Sequence, residues 1–282
     1  MSQFIISGFA DEIDEKIVNQ FTHLNKLNIS YFEPRGVNGT NISDLSDDEV
    51  EQLKQDMKTF GIKVSSIGSP IGKIQITDAF EPHLEKLKRT IAIAKALGTK
   101  YIRIFSFFIP KGEKPEDYRD EVMYRMKKMT ELAEKEGVIL LHENEKDIYG
   151  DIAVRCKDVL DTVNSPALRA VFDPANFVQC GQVTYPEAYE LLKPYVVYMH
   201  IKDALADGEV VPAGYGIGHV PEILKRLKES GYEGFLSLEP HLGSFSGLAN
   251  LELDDKMLSL EGSTPEKFTL AHESLQKLLN NL

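Results

Sequence analysis

Apolar runs of strand length alternate with helix-period segments from one end of the chain to the other. The runs cover residues 4–8, 29–33, 63–67, 101–105, 138–143, 168–173, 196–200 and 234–239, and each is followed by an amphipathic segment. The first such segment carries Ile13, Ile17, Phe21, Leu24 and Leu27, steps of three and four that draw one apolar stripe along a helix. Leu84, Leu87, Ile91 and Ala94 repeat the pattern before Gly98, and Tyr118, Val122, Met126, Met129 and Ala133 before Gly137; Ile223, Leu224 and Leu227 run on to Gly231. A glycine there suits the left-handed residue that closes a helix. Ser46…Glu49, Thr184…Glu187 and Ser263…Glu266 read as capping boxes, the last two with Pro186 and Pro265 in the first turn. Eight strand-then-helix units without a hairpin signal predict a parallel sheet, and eight is the number that closes a barrel. The expected fold is α/β, a (β/α)₈ TIM barrel as a single domain over 1–282; an open doubly wound sheet is the alternative that periodicity leaves standing. The one long irregular stretch, 243–262, follows the last strand, where a barrel carries active-site loops.

Composition narrows the setting. With 42% apolar and 27% charged residues in 282, the chain has the makings of a folded core. Lys and Arg number 32 against 44 Asp and Glu, a formal charge of −12 that opposes a general affinity for nucleic acid or an anionic membrane. No apolar run approaches the about 20 residues of a membrane-spanning helix, and the first residues lack a secretory signal pattern. Cys156 and Cys180 are too few for a disulfide framework and read as small apolar filler. The expected location is the cytoplasm.

The chemistry signal is positional. Glu33, Glu143, Asp173, His200 and Glu239 each close an apolar run, and in a barrel these C-terminal strand ends meet on the face that carries active sites. Glu33, Asp173 and Glu239 each precede a proline, which holds them extended as the last residue of their strands. Alternation then puts Ser237 on the face of Glu239, puts Leu141 on that of Glu143, and turns His142 away. Two Glu, one Asp and one His make a hard-to-borderline set suited to Mn²⁺, Mg²⁺, Co²⁺ or Zn²⁺, with positions left for substrate oxygens. Taken one by one, each acid also reads as a loop residue or a helix cap.

The runs His142-Glu143-Asn144, Phe172-Asp173-Pro174-Ala175-Asn176, Met199-His200-Ile201-Lys202-Asp203 and Ser237-Leu238-Glu239-Pro240 resemble the xylose-isomerase-like barrel family. That family holds sugar and sugar-phosphate isomerases, ketose 3-epimerases, inosose dehydratases and, more distantly, endonuclease IV-type nucleases. The resemblance implies one divalent metal, Mn²⁺ first and Mg²⁺, Co²⁺ or Zn²⁺ as alternatives, on Glu143, Asp173, His200 and Glu239. It also implies that Glu143 and Glu239 serve as the catalytic acid/base pair. The chain departs from the epimerases at Asn176, where they carry His, and at Ala206, where they carry Arg; the His200-x-Lys202-Asp203 run is closer to the inosose-dehydratase branch.

Asn176, Lys202, Glu33 and His241 are the candidates for binding substrate. Asn176 can bond a sugar hydroxyl. Lys202 neutralises an enolate or holds an anion, or is a solvated lysine beside a capping Asp. Glu12 and Glu33 bind hydroxyls or act in capping and pairing. Arg103 and Ser106 close the fourth strand, Arg103 as a core-edge ion pair. Gly214, Gly216 and Gly218 form a turn, a lid or an anion cradle; His83 and His272 read as surface residues of helices. The implied activity is a metal-dependent sugar or sugar-phosphate isomerase or epimerase, with dehydration of a polyol ketone at the same site as the alternative. A nuclease reading fails on the acidic charge and on Gly208 and Val210, which stand where a second metal-ligand motif aligns. The expected partner is a small sugar or polyol, with no nucleic acid or membrane; a homo-oligomer is left open.

Overall fold

The computed structural model describes residues 4–244 and 261–282, so most of the irregular stretch 243–262 lies outside the described residues. The eight expected strands are present as β1 (Ile5–Gly8), β2 (Tyr31–Phe32), β3 (Lys63–Val64), β4 (Tyr101–Ile104), β5 (Ile139–Glu143), β6 (Leu168–Phe172), β7 (Val196–Ile201) and β8 (Phe235–Leu238). Six of them form one parallel sheet in the order β1-β8-β7-β6-β5-β4, and β2 pairs with β3 in parallel. Backbone bonds outside these ladders join the two groups and close the barrel. Glu33 N–H donates to Gly8 O at 2.9 Å, while Ile67 pairs with Ile102 and its carbonyl accepts from Arg103 N–H at 2.9 Å.

β2 and β3 are shorter than the apolar runs that predict them. Side-chain hydroxyls supplement the ladder there: Ser65 Oγ donates to Phe32 O at 3.0 Å, and Thr99 Oγ1 donates to Ser65 O at 2.9 Å. The helices are α1 (Ile17–Lys26), α2 (Asp47–Phe60), α3 (Phe80–Ala96), α4 (Arg119–Glu136), α5 (Ala153–Val163), α6 (Pro174–Gln179), α7 (Tyr189–Leu192), α8 (Val220–Glu229) and α9 (Pro265–Asn280). Their apolar stripes face the strands, as with Val122, Met126, Met129 and Ala133 of α4, all buried. One continuous apolar cluster runs from Ala10 to Leu275. Among the described residues no helix is long and apolar enough to cross a membrane.

Of the three expected capping boxes, one forms. Ser46 accepts from Glu49 N–H, and the Glu49 carboxylate accepts from Ser46 N–H at 2.8 Å. Thr184 instead donates its hydroxyl to Gly218 O at 2.8 Å, because Tyr185 before Pro186 is held extended and breaks the turn. At α9 the cap is Thr264, one residue later than expected, and Ser263 donates to Glu12 O at 2.7 Å.

His83 and His272, expected at the surface, are buried at 7% and 8% exposure. His83 sits at the start of α3, where its Nε2 accepts from Gly72 N–H at 2.7 Å. Gly72 is left-handed and pressed against β4, so close that a Cβ would lie 2.0 Å from Phe105 O. Burial, with Lys86 and Arg125 nearby, pushes the His83 imidazole down to about 4. The folded state thus keeps His83 neutral, whereas the unfolded chain takes up its proton near pH 6.5. Stability from this group is complete above pH 6.5 and is lost as pH falls toward 4, up to about 3 kcal/mol. In urea titrations His83→Gln, which retains an acceptor, is expected to flatten that slope; an unchanged slope between pH 7 and 4.5 assigns it elsewhere.

Candidate metal centre and its charge network

Glu143 is the last residue of β5, Asp173 follows β6, His200 lies near the end of β7 and Glu239 follows β8. All four stand at the C-terminal ends of neighbouring strands. Asp173 caps α6, its Oδ1 accepting from Asn176 N–H at 2.9 Å, so one carboxylate both starts the helix and faces the barrel axis. Each of the four is buried, and one nitrogen or oxygen from each lies within 4.8 Å of the others. His200 Nδ1 is the hub, at 2.8 Å from Glu143 Oε1, 3.4 Å from Glu239 Oε2 and 3.9 Å from Asp173 Oδ2.

The other face of the imidazole meets a second buried anion. Glu33 Oε2 lies 3.4 Å from His200 Nε2 and accepts from Tyr198 OH at 2.8 Å and Ser237 Oγ at 2.7 Å. Burial alone would depress the imidazole, but Glu143, Glu33 and Glu239 outweigh it and hold it well above its usual value. Burial likewise pushes Asp173 up against the pull of Lys202. For Glu239, Lys202, His241 and His200 overcome burial and hold the carboxyl well below its usual range.

Three buried cations offset these charges. Lys202 Nζ bridges Glu239 Oε2 at 3.0 Å and Asp173 Oδ2 at 3.2 Å. Arg103 Nη1 lies 3.3 Å from both Glu239 Oε1 and Glu143 Oε2. Arg35 forks onto Asp11 at 2.8 and 3.0 Å and reaches Glu12 Oε1 at 3.1 Å and Glu239 Oε1 at 3.2 Å. Both guanidinium groups lie over the Phe9 ring, at 4.6 and 4.8 Å, and Phe9 meets His200 edge-on at 5.1 Å. Glu143 Oε2 and Asp173 Oδ2 are buried and accept no hydrogen bond. Two such oxygens beside His200 Nδ1 are the donor set a divalent ion takes, so the residues present fit a metal.

A family model described as xylose isomerase-like TIM barrel matches residues 21–258. The chain belongs to the xylose isomerase-like TIM barrel family. Solved structures similar to it include a D-tagatose 3-epimerase-like protein, 17% identical with a TM-score of 0.76, covering 99% of this chain and 98% of that one. An IOLI protein with a binding zinc atom is 17% identical with a TM-score of 0.73, over 99% of both chains. The probable 3-DHS dehydratase AsbF of petrobactin synthesis from Bacillus anthracis is 19% identical with a TM-score of 0.71, over 92% of this chain and 98% of that one. At these identities the likeness is one of fold. No curated protein matches the sequence.

Within this family barrel the remaining candidates divide. Asn176 joins the cluster, its Nδ2 donating to Asn144 O at 2.9 Å and Glu143 Oε1 at 3.3 Å. Lys202 is a buried bridge between carboxylates rather than a solvated lysine. Glu33, expected among the groups that bind hydroxyls, sits beneath His200 with Oε2 already held by Tyr198 and Ser237; alternation gives its face but not its depth. His241 has a left-handed backbone, donates its N–H to Glu12 Oε2 at 2.7 Å, and places Nε2 3.4 Å from Glu239 Oε1. His142 turns away as expected, Nε2 lying 2.9 Å from Ser106 Oγ. The glycine loop is a turn wrapped on Asp203, whose carboxylate accepts from the amides of Gly214, Gly216 and Gly218 at 3.0, 3.1 and 2.7 Å.

Sequence reasoning missed Asp11, Arg35, Phe9 and Asn144. Asn144 pairs both ways with the backbone of Asp173, at 2.9 and 3.0 Å, and so sets β5 against β6. The available signal was adjacency: Arg35 follows Glu33-Pro34, and Asn144 follows Glu143. Arg35→Met strands Asp11 and Glu12 without their main counterion, and removal of one partner from a buried ion pair costs about 3–5 kcal/mol. Urea denaturation is expected to show that loss, with Arg35→Lys intermediate because an ammonium has no fork. A loss under about 1 kcal/mol would mean that the pair adds little to stability.

Proposed function

We propose that the protein is a divalent-metal-dependent sugar isomerase or epimerase that moves a proton on the carbon beside a carbonyl. The observation that carries this reading is the buried convergence of Glu143, Asp173, His200 and Glu239, one ligand atom from each within 4.8 Å. Those residues would hold the ion, with Mn²⁺ favoured for a carboxylate-rich set carrying one imidazole and Mg²⁺, Co²⁺ or Zn²⁺ as alternatives. When bound, such an ion polarises the substrate carbonyl and acidifies the neighbouring C–H bond. The likeness to a D-tagatose 3-epimerase-like protein and to a zinc-bearing barrel supports sugar chemistry at a divalent ion.

The chain's own residues supply the proton handling. Glu143 and Glu239 belong to strands three apart in the sheet, so they address a substrate at the axis from different sides. One removes the proton and the other returns it to the opposite face, which gives epimerisation; return to the neighbouring carbon gives isomerisation. His200 and Asn176 both hold Glu143 Oε1, and Arg103 lies 3.3 Å from Oε2, so the carboxylate is fixed in place. Burial opposes the charge on Lys202, but Asp173 and Glu239 hold it protonated, so it offers a fixed positive charge to an enediolate. Asn176 and His241 stand beside these groups as substrate contacts.

Dehydration is the second reading, favoured by the His200-x-Lys202-Asp203 run and by the likeness to the probable 3-DHS dehydratase. The Asn176 amide that replaces the epimerase histidine is committed to Glu143 and Asn144. The glutamic acid formed by proton removal would then give that proton to the neighbouring hydroxyl, which leaves as water. A phosphodiester reading lacks ligands: among the described residues there is one such cluster, and it holds a single histidine.

With ketoses in D₂O the Mn²⁺-loaded enzyme is expected to wash deuterium into the carbon beside the carbonyl. Glu143→Gln and Glu239→Gln should each slow that exchange by roughly 100-fold or more, with metal content measured in parallel. A variant that retains its metal and exchanges at the wild-type rate has not lost the base. Glu33→Gln, which weakens the anion behind His200, is expected to lower metal affinity about 10–100-fold in a chelator competition. Unchanged affinity would deny Glu33 that role.

A further inference from the structure

We infer that the substrate of this site is an uncharged polyhydroxy ketone, neither phosphorylated nor a carboxylic acid. The inference rests on the isomerase reading above and narrows its substrate class. Two features of the C-terminal face carry it.

The first is the loop after β7. Barrels often present backbone amides to a phosphate from this part of the fold, and the Gly214, Gly216 and Gly218 spacing suits such a cradle. Here the cradle closes on an anion of the chain itself. The Asp203 carboxylate accepts from the amides of Ala204, Gly214, Gly216 and Gly218 between 2.7 and 3.1 Å. The wrap is tight: a Cβ on Gly216 or Gly218 would lie 2.4 or 2.6 Å from Asp203 Oδ1. A phosphate entering here would have to displace a tethered carboxylate from four donors.

The second is the balance of charge. Asp11, Glu12, Glu33, Glu143, Asp173 and Glu239 are buried together, whereas the buried cations that meet them are Arg35, Arg103 and Lys202. Each of those cations already carries at least two carboxylates at 3.3 Å or less. Beyond them, Lys73, with a side chain only 4% exposed, pairs with Glu145 at 3.1 Å. Six carboxylates meet three such cations, so the positive charge of a divalent ion would be taken up within the cluster, with none left over for a substrate. Among the described residues, an anionic substrate finds no surplus positive charge in a poorly screened site. A neutral polyol asks only for hydrogen bonds and for the ion.

The experiment compares matched pairs on the Mn²⁺-loaded protein: D-tagatose and D-fructose against their 6-phosphates, and an inosose against a cyclic hydroxy-keto acid. Turnover is read by NMR exchange in D₂O and binding by calorimetry. The neutral member of each pair is expected to be preferred by roughly 100-fold or more in kcat/KM, because an anion is desolvated there without a free counter-charge. Inorganic phosphate should not compete with the ketose. Equal or better use of a phosphorylated or carboxylated member, or competition by inorganic phosphate, overturns the inference and leaves the isomerase reading intact. No exchange in any compound, when the panel is repeated with Mg²⁺, Co²⁺ and Zn²⁺, overturns both. Asp203→Ala, which takes the carboxylate out of its amide cradle, is expected to gain inhibition by inorganic phosphate. A folded variant indifferent to phosphate overturns the argument from the loop, and if the variant does not fold the wild-type pairs decide.

Discussion

The rest of the site depends on one constraint: several carboxylates are buried around a single imidazole. Two like unit charges about 4 Å apart repel by about 4 kcal/mol at an effective dielectric near 20, and burial adds a desolvation cost for each. Such a cluster survives only if the protein matches it with fixed positive charge and directed hydrogen bonds. Arg35 and Arg103 converge on Glu239 Oε1 while Lys202 takes Oε2, so this one carboxylate meets three cations. Phe9 fixes the geometry, carrying both guanidinium groups on its ring and His200 on its edge. Glu33 balances the imidazole from behind. Asp11 and Glu12 then anchor Arg35, which ties the first turn after β1 into the same network.

The barrel meets this constraint through where its strands stop. A residue before proline stays extended and its successor donates no ladder bond, so Glu33, Asp173 and Glu239 each end a strand with the side chain committed to the axis or the rim. Asn144 performs the complementary task across strands, its amide pairing with both backbone groups of Asp173. The polar layer beneath belongs to the same construction: Ser7 Oγ lies 2.6 Å from Ser65 Oγ, which lies 2.8 Å from the Tyr198 hydroxyl that donates to Glu33. Hydroxyls fill a barrel interior that apolar side chains fill elsewhere, and they carry the support of His200 downward.

This division explains what a single sequence discloses. The strand order, the alternation that places Ser237 and Leu141 inward and His142 outward, and the convergence of four ligand-type residues follow from local rules of period and chain stiffness. Those rules act within a few residues and are readable. Arg35 meets Glu239 across a separation of 204 residues, and no local pattern encodes that meeting; it exists only once the barrel closes. The burial of His83 has the same origin, because its acceptor is claimed by a left-handed glycine in the preceding loop. Thr184 misleads for a local reason instead: the hydroxyl-x-x-Glu pattern is intact, but Pro186 forces Tyr185 out of the helical region before the box can form. The glycine spacing after β7 predicts an amide cradle correctly, yet Asp203, eleven residues before Gly214, supplies its anion.

The compensating cations are not equivalent, and their difference bears on how such a centre accepts an ion. Arg35 is locked by its fork onto Asp11 and by Phe9, and Arg103 lies between Phe9 and the Phe105 ring. A planar, stacked guanidinium held this way has little freedom to withdraw. Lys202 is a compact charge on a flexible stem, and it occupies Asp173 Oδ2 and Glu239 Oε2, two oxygens that the cluster would offer a metal. A divalent ion held by this cluster would compete with Lys202 for its carboxylates, while the arginines hold Glu239 Oε1. Two stacked guanidinium groups and one ammonium are thus the counter-charges that keep these carboxylates together.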